Sequence, residues 1–385
     1  MDHTNALMAR VGILMKRNRE RFWDTNDYVV RYSKRFGKPE AALFFRTVGC
    51  KHDAAGGCTM CDYSAGPKTS AEYMIDCVRR GMAELPDDLY SVLISPSGSF
   101  LDEWEVPRSA RRGILALMCA SPYPAFAFET RAETLVPESV AECRSSLERR
   151  GLKVYVGLES ADTWVAKYCI NKALSPSVFV GGVSELRQQG VDAVANVLLG
   201  APFLTEREAI VDTLNTVRWA FDNGVSECCL FPTHVKKWTQ MEWFYRHGLY
   251  EPPSLWSLIE VLRQLDEDQV SSKIEIAWFT SYGAFNVIAS PNTCRRCYNE
   301  VVEYFSGFAN TNDYAFIQNA IDLECSCKDI WREEIENRNN STQNRITRAA
   351  HCYEVIARGL LGDDWWDRHS ERLLNMLHKD AILPG

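Results

Sequence analysis

The sequence has no apolar run that could cross a bilayer; VANVLLGAPF at 194–203 is among its longest and falls well short of the ~20 residues a membrane helix needs. Its opening residues, MDHTNALMARVGILMKRNRERFW, lack the apolar core and small-residue cleavage site of a secretory leader, so a cytoplasmic, reducing setting is expected. Positive charge is not in excess. The 43 Lys and Arg against 51 Asp and Glu leave a net charge of -8, which argues against a protein held to nucleic acid by a global basic surface. No fixed-period repeat is found, and the polar stretch ENRNNSTQN at 336–344 is the nearest thing to low complexity. What the chain does have is cysteine, 14 in 385 residues. In a reducing setting these thiols serve as ligands or small buried hydrophobes rather than as disulfide partners.

That length holds one α/β barrel of about 250 residues with a smaller appendage. Residues 8–35 place Met8, Val11, Leu14, Met15, Phe22 and Tyr28 among many charges, which predicts an amphipathic helix covering one end of the barrel. Short β-rich runs follow: ALFFRTV, then YSVLI at 90–94, AFAFET at 125–130, VYVGLE at 154–159, VANVLL at 194–199 and CCLF at 228–231, with IEIAWF at 274–279 as a seventh candidate. Helical patterns such as 71–85 and 207–224, the latter with Gly224 as a C-cap, separate them. Strand-helix alternation predicts a parallel sheet, here a partial (β/α)6 TIM-like barrel in the α/β class. The expected division is an N-terminal helical extension at 1–40, the barrel at 41–280, and a small, mainly helical, Cys-rich region at 281–385.

The polar signatures fall just after the predicted strands, which is where β/α barrels keep their chemistry. Cys50, Cys58 and Cys61 form a C-x7-C-x2-C arc after the first strand, and Gly56 and Gly57 let its backbone approach a bulky group. Three thiolates on a [4Fe-4S] cluster leave one iron with an open position, which S-adenosylmethionine can chelate. A zinc site completed by His52 is the competing reading. Met60 is placed to shield the cluster or pack on an adenine. After the second strand, Ser97, Gly98 and Ser99 of SPSGSFLD form a small turn suited to the amino group of a bound methionine. ETRAET supplies Glu129 for amino or ribose hydroxyl groups and Arg131 for a bidentate grip on a carboxylate; Glu159 in GLES is a second ribose candidate, and Lys172 supports either anionic group. Phe203, beside a capping box from Thr205 to Glu208, is a candidate adenine or substrate contact, while His234, Lys236 and Lys237 are substrate contacts or a solvated loop.

A second cysteine set closes the chain: Cys294 and Cys297 in CRRC, then Cys325 and Cys327 in ECSCK. Two close pairs suit a closed tetrahedral thiolate site. Zinc is the first expectation, a second iron-sulfur cluster the next, and a soft trivalent ion captured as substrate a third. Cys77, Cys119, Cys143, Cys169, Cys228, Cys229 and Cys352 sit in helical or strand patterns and read as packing residues.

Assembled, these segments resemble the radical S-adenosylmethionine enzymes, and among them the archaeosine-forming proteins related to the radical domain of the catalytic Elongator subunit. GGCTMCDY resembles that family's cluster loop, SGSFLD its cofactor turn, ETRAET and GLES its next strand ends; APFLTEREAI, FPTHVKKWTQMEWFYRHGLYEPPSLWSLIEVLR and the tail with ECSCKDIW are similar to its later segments. The resemblance implies a [4Fe-4S] cluster on Cys50, Cys58 and Cys61, S-adenosylmethionine as cofactor, an electron donor such as flavodoxin or ferredoxin, and radical chemistry on a bound substrate. Where those relatives carry a glycine-arginine-rich, proline-histidine stretch, this chain reads TSYGAFNVIASPNTC. With the acidic charge, that departure favours a small amino-acid or nucleoside-like metabolite, acted on by a lyase or transferase, over a tRNA or nucleobase as in archaeosine formation. Transfer of a 3-amino-3-carboxypropyl group to a thiol-bound acceptor such as trivalent arsenic is the further alternative.

Overall fold

The computed structural model describes residues 5–382 apart from 18, 20–25, 63–65, 97, 173, 278, 281–285 and 338–341. Eight strands form one sheet: β1 (Tyr28–Arg35), β2 (Lys38–Phe45), β3 (Ser91–Ser95), β4 (Ala125–Thr130), β5 (Gly151–Glu159), β6 (Asp192–Leu199), β7 (Glu227–Pro232) and, after a short β8 (Val235–Lys236), β9 (Ile274–Ile276). They are ordered β1-β2-β3-β4-β5-β6-β7-β9, and a separate β10 (Val287–Ala289) pairs antiparallel with β8. From β2 onward every sheet pairing is parallel, so this is the expected partial barrel, extended by the short β9. The helices are α1 (Ala6–Met15), a one-turn α2 (Lys51–Ala54), α3 (Ala71–Ala83), α4 (Arg108–Ala120), α5 (Pro137–Leu147), α6 (Pro176–Gln188), α7 (Glu206–Asp222), α8 (Gln240–Arg246), α9 (Leu255–Arg263) and α10 (Glu267–Lys273). Beyond β10 the chain is helical: α11 (Tyr298–Thr311), α12 (Ala315–Asp322), α13 (Ser326–Asn337), α14 (Thr342–Leu361) and α15 (Asp363–Ile382).

The N-terminal expectation needs correction. Helix ends at Met15, and Tyr28–Arg35 is instead a strand antiparallel to β2. Phe36 and Gly37, at φ 49 and 71, make the two-residue turn that a tight hairpin requires. The alternation of YVVRYSKR is masked by its charges, and one of them has a task. Arg35 reaches from the end of β1 across the open side of the sheet to Glu227 of β7 and, at 2.6 Å, to Glu275 of β9. Lys153 also bonds Glu227 at 2.5 Å, and the Tyr155 hydroxyl donates to Glu275 at 2.8 Å. The half-barrel is thus closed at its base by ion pairs, and α11 covers the same seam, where the Asn310 carbonyl accepts from Gly37 N at 2.8 Å and Asn312 Nδ2 donates to the Ile274 carbonyl at 3.0 Å.

Glu40 faces this basal cluster, and burial first, then Glu275, push its pKa up to about 7. A carboxyl raised in the folded state but ordinary when unfolded lends stability below about pH 4.5, and that stability drains away as pH rises through 7. Glu40→Gln is therefore expected to flatten the fall in unfolding free energy between about pH 4.5 and 7 by roughly 2 to 3 kcal/mol, read from urea titrations at several pH values. An unchanged slope would show that Glu40 is not desolvated.

Two apolar cores coexist. One lies between the sheet and α3 to α7 and takes in α9, α11 and α12, with Cys297 and Cys325 in it. The other joins α1, residues 164–170, α8, α14 and α15. The tail segment 281–385 is therefore divided between them. Cys77, Cys143, Cys169, Cys228, Cys229 and Cys352 are buried, and Cys119 half-buried. No described helix is long and apolar enough to cross a membrane.

Candidate functional site

The arc that carries Cys50, Cys58 and Cys61 leaves β2 at the upper end of the sheet and is fixed from three sides. From the first, α1 lies directly on it: a Cβ added to Gly12 would stand 2.0 Å from the Gly56 carbonyl oxygen, and one added to Gly56 2.4 Å from that of Ala9. Asp53, buried within the arc, pairs with Lys16 and, at 3.1 Å, with Arg19, while Lys16 also donates to the Gly56 carbonyl at 3.1 Å. The second support is a π-helical turn, Val165–Ile170, ended by Asn171 in the left-handed conformation. Its Ile170 carbonyl accepts from Thr59 N at 2.9 Å, its Cys169 carbonyl from the Thr59 hydroxyl at 3.1 Å, and Asn171 Nδ2 donates to the Gly57 carbonyl at 2.8 Å. Such turns concentrate at functional positions because they re-aim backbone carbonyls. From the third side, α8 contributes the Met241 N–H to the Thr59 carbonyl at 3.1 Å.

Cys50, Cys58, Met60, Cys61, Gly98, Glu129, Arg131, Glu159 and Lys172 all line one cavity of about 220 Å³ at the C-terminal ends of the strands. His234 and Lys236 line it too. Ser97 lies outside the described residues. Ser99 is buried behind the wall, where its N–H donates to Glu105 at 2.7 Å and its hydroxyl meets Thr130 at 2.8 Å. One expectation changes: Phe203 packs against Phe244 and Tyr353 with ring centroids 5.2 and 5.8 Å away, in the second core rather than at the cavity. Lys237 is exposed and extends over the Trp238 ring at 5.9 Å, in keeping with the solvated-loop alternative.

The charges around the cavity are paired with a visible logic. Lys172 Nζ meets Glu159 Oε1 at 2.9 Å, Lys236 meets Asp62 at 2.6 Å, and Arg131 holds Asp102. Burial alone would weaken the Lys172 ammonium, but Glu159 and Cys58 beside it hold its pKa above the ordinary lysine value. Glu159 sits at φ 67, a left-handed backbone that turns its carboxyl inward, and its Oε2 is buried with no partner among the described residues. An unpaired buried carboxylate oxygen costs free energy unless a ligand donor completes it. Burial pushes the Cys50 and Cys58 thiols up to about 11 and raises Cys61 well above the ordinary thiol value. Such thiols stay protonated at neutral pH until a cation binds to them. His52 is neutral, since burial lowers its pKa, and Nε2 donates to the Asn171 carbonyl at 2.8 Å, which commits one ring nitrogen to the backbone.

Sequence reading passed over Glu105. It is fully buried, accepts from the Thr47 hydroxyl at 2.8 Å and from Ser99 N, and burial lifts its pKa to about 8. Gly98 is required beside it, because a Cβ there would lie 2.3 Å from both carboxyl oxygens. The signal was the acid six residues after Ser99 in SFLDEWE. Asp53, Lys16 and Asn171, which hold the arc, gave no local signal, since each acts through a partner distant in sequence.

The second thiol set is separate; none of its members lines the cavity. Cys294 lies 3.6 Å from Cys297 and 3.5 Å from Cys325, and Cys327 lies 3.5 Å from both Cys297 and Cys325 (Sγ to Sγ). All four sulfurs fall within 4.8 Å of one another. Four sulfurs at 2.3 Å from one ion stand about 3.8 Å apart, so the geometry suits a single tetrahedral ion and is too tight for the corners of a cubane. Trp256 Nε1 donates to Cys327 Sγ at 3.2 Å, the kind of outer hydrogen bond that tunes a thiolate ligand.

No family model matches the chain. It is 30% identical over 305 residues to archaeosine synthase subunit beta of Methanosarcina acetivorans, covering 76% of this chain and 84% of that protein. With archaeosine synthase subunit beta of Thermococcus kodakarensis it shares 28% over 330 residues, 82% of this chain and 96% of that one. Among solved structures, methylornithine synthase superposes with a TM-score of 0.46 at 14% identity, covering 70% of this chain and 69% of that one.

Proposed function

The chain belongs to the archaeosine synthase subunit beta family, and from that premise we propose that it is a radical S-adenosylmethionine enzyme acting on a small amino-acid or nucleoside-like substrate held in the 220 Å³ cavity. One observation carries this reading: three thiols from one arc enter the same cavity as Arg131, Glu159 and Lys172. The residues fit the implied groups. Three thiols that line the cavity and are too basic to ionise alone suit an iron-sulfur cluster, and the orphaned Glu159 Oε2 suits a ribose hydroxyl. With both bound and one electron delivered by a reductant such as reduced flavodoxin or ferredoxin, the cluster and S-adenosylmethionine would supply radical, hydrogen-abstracting chemistry to the substrate.

The chain's own residues then bind, orient and exclude. Arg131, steadied by Asp102, offers its guanidinium to a carboxylate, and Gly98 leaves room for an amino group beside the Glu105 wall. Glu159, held by Lys172, presents its free oxygen to the ribose. Met60 covers the arc and helps exclude water from a site where stray hydrogen donors would quench a radical.

Archaeosine formation, the activity in the relatives' names, with a tRNA or nucleobase as substrate, is a second reading favoured by 30% identity across 84% of one of them. Capture of a soft acceptor by the four tail thiols gains no support, because they do not line the cavity. The test is anaerobic reconstitution with iron and sulfide, reduction, and mass spectrometry of the adenosine product. 5'-Deoxyadenosine supports the radical reading; 5'-methylthioadenosine indicates aminocarboxypropyl transfer; consumption of neither cofactor nor reductant would refute both.

A further inference from the structure

The outer side of the arc is basic. Residues 5–19 and 50–61, which form α1 with its closing turn and the arc, carry five cations, Arg10, Lys16, Arg17, Arg19 and Lys51, against the single acid Asp53. Lys16 and Arg19 are spent on Asp53. Arg10, Arg17 and Lys51 are exposed, and none of them has an ion-pair partner among the described residues. In a chain with a net charge of -8 this concentration is local, and it stands beside the three thiols.

Helix geometry gathers these charges on one face. Ala9, Gly12 and Lys16 of α1 meet the arc, while Leu7, Met8 and Val11 are buried in the second core. At about 100° per residue the remaining side is Ala6, Arg10 and Ile13, continued by Arg17 in the turn that closes the helix, and all four are exposed. Ile13 is 55% exposed between the two arginines, an apolar centre in a cationic rim. On α2, which Lys16 joins through Asp53, Lys51, Ala54 and Ala55 are exposed as well. None of these exposed residues lines the cavity, so a protein seated here leaves the substrate its own entrance. Helix and arc touch at Gly12 and Gly56, which leaves the exposed stripe within one helix width of the arc, about 10 Å.

We propose that the outer face of α1 and α2 docks a small acidic one-electron carrier protein, which reduces the cluster held by the arc. The proposal rests on the radical reading given above, since without that cluster the electron has no acceptor. The carrier loses one electron, an anionic flavodoxin hydroquinone becoming its neutral semiquinone with its proton retained, and the cluster gains it. Over the rest of an acidic chain such a carrier is repelled, and only this face attracts it. A basic face also suits a phosphate backbone, but looped RNA is held on aromatic platforms, and the exposed residues of this face include no aromatic. Ile13 with its neighbouring alanines gives instead the small apolar centre and charged rim of a weak, transient protein contact.

The test uses the reconstituted full-length protein as wild type, as the triple variant Arg10→Glu, Arg17→Glu, Lys51→Glu, and as a control with the same charge change at the base of the sheet, Lys34→Glu, Arg149→Glu, Lys273→Glu. One readout is surface plasmon resonance with an acidic flavodoxin and an acidic ferredoxin at low and high salt; the other is cofactor cleavage driven either by the reduced carrier or by excess dithionite. The expected result is carrier binding to the wild type that weakens with salt, and a loss of at least about tenfold in both binding and carrier-driven cleavage in the triple variant. Dithionite-driven cleavage should be unchanged in it, and the basal control should behave as wild type. Equal carrier binding in the triple variant and wild type would overturn the proposal, as would an equal loss in the basal control. So would a wild type that binds neither carrier, or whose binding ignores salt. Loss of dithionite-driven cleavage in the triple variant would place these cations in the site itself, and displacement of the carrier by tRNA at lower concentration would give the face to nucleic acid; either result refutes carrier docking. A wild type that cleaves nothing with either reductant would remove the radical reading, and the proposal with it.

Discussion

Cys58→Ala is expected to abolish iron uptake by the arc and with it all turnover. Iron should fall from about four atoms per chain to near zero, the absorption near 400 nm should vanish, and cofactor cleavage should drop by about a thousandfold or more, equivalent to ~4 kcal/mol of barrier. The size of the effect follows from the way the arc is built. Cys50, Cys58 and Cys61 leave no spare thiol, because no other cysteine among the described residues lines the cavity. The arc is also fixed by α1, the π-helical turn and α8 before any ligand arrives, so a substitute ligand has no freedom to move in. Folding should survive, since Thr59, Gly56 and Asp53 rather than the thiol carry those attachments. Cys77→Ala, a buried helical thiol, is the matched control and should keep its iron. Full iron content in Cys58→Ala would sink the cluster assignment.

Most of the barrel was legible because its strands are buried on both sides. VANVLL and AFAFET read as continuous apolar runs, and the structure places β6 and β4 on them. The first strand was not legible. In YVVRYSKR the inward charge Arg35 is neutralised by Glu227 and Glu275, about two hundred residues later, and no local pattern announces such a partner. The same holds at the cavity. The residue types of Cys50, Cys58, Cys61, Arg131 and Glu159 spoke for themselves just after strands, whereas Asp53 and Asn171 matter through contacts such as those with Lys16 and Gly57. Phe203 shows the converse failure. An aromatic beside a strand end looked available to a ligand, yet its left-handed backbone at φ 67 turns it into the second core.

The tail thiols should carry the second large effect, and on stability rather than on the cluster. We expect one zinc per chain at Cys294, Cys297, Cys325 and Cys327, lost in the double variant Cys297→Ser, Cys325→Ser, with a destabilisation of at least about 3 kcal/mol and a fall in melting temperature of roughly 5 °C or more. Binding of zinc by short zinc-finger peptides is worth about 10 to 16 kcal/mol, but here part of the attachment is independent of any ion: Phe305, Phe308 and Ile317 hold α11 and α12 in the barrel core. The remainder falls on the junction the ion would make. Cys297 stands at the N-terminus of α11 and Cys327 in the first turn of α13, so one ion ties together the two ends of a helical excursion that also covers the basal seam between β1 and β9. Trp331 donates to Ser257 at 3.2 Å, and Ser257 in turn donates to Glu206 at 2.6 Å, which couples α13 to the barrel wall through α9. Loss of the ion therefore loosens the wall without touching Cys50, Cys58 or Cys61. Metal analysis of the wild type decides between ions: one zinc per chain supports the tight sulfur spacing, whereas about eight irons per chain would mean that the four thiols spread apart to hold a second cluster. An unchanged melting temperature in a double variant that has lost its zinc would show the tail to be held by its apolar contacts alone.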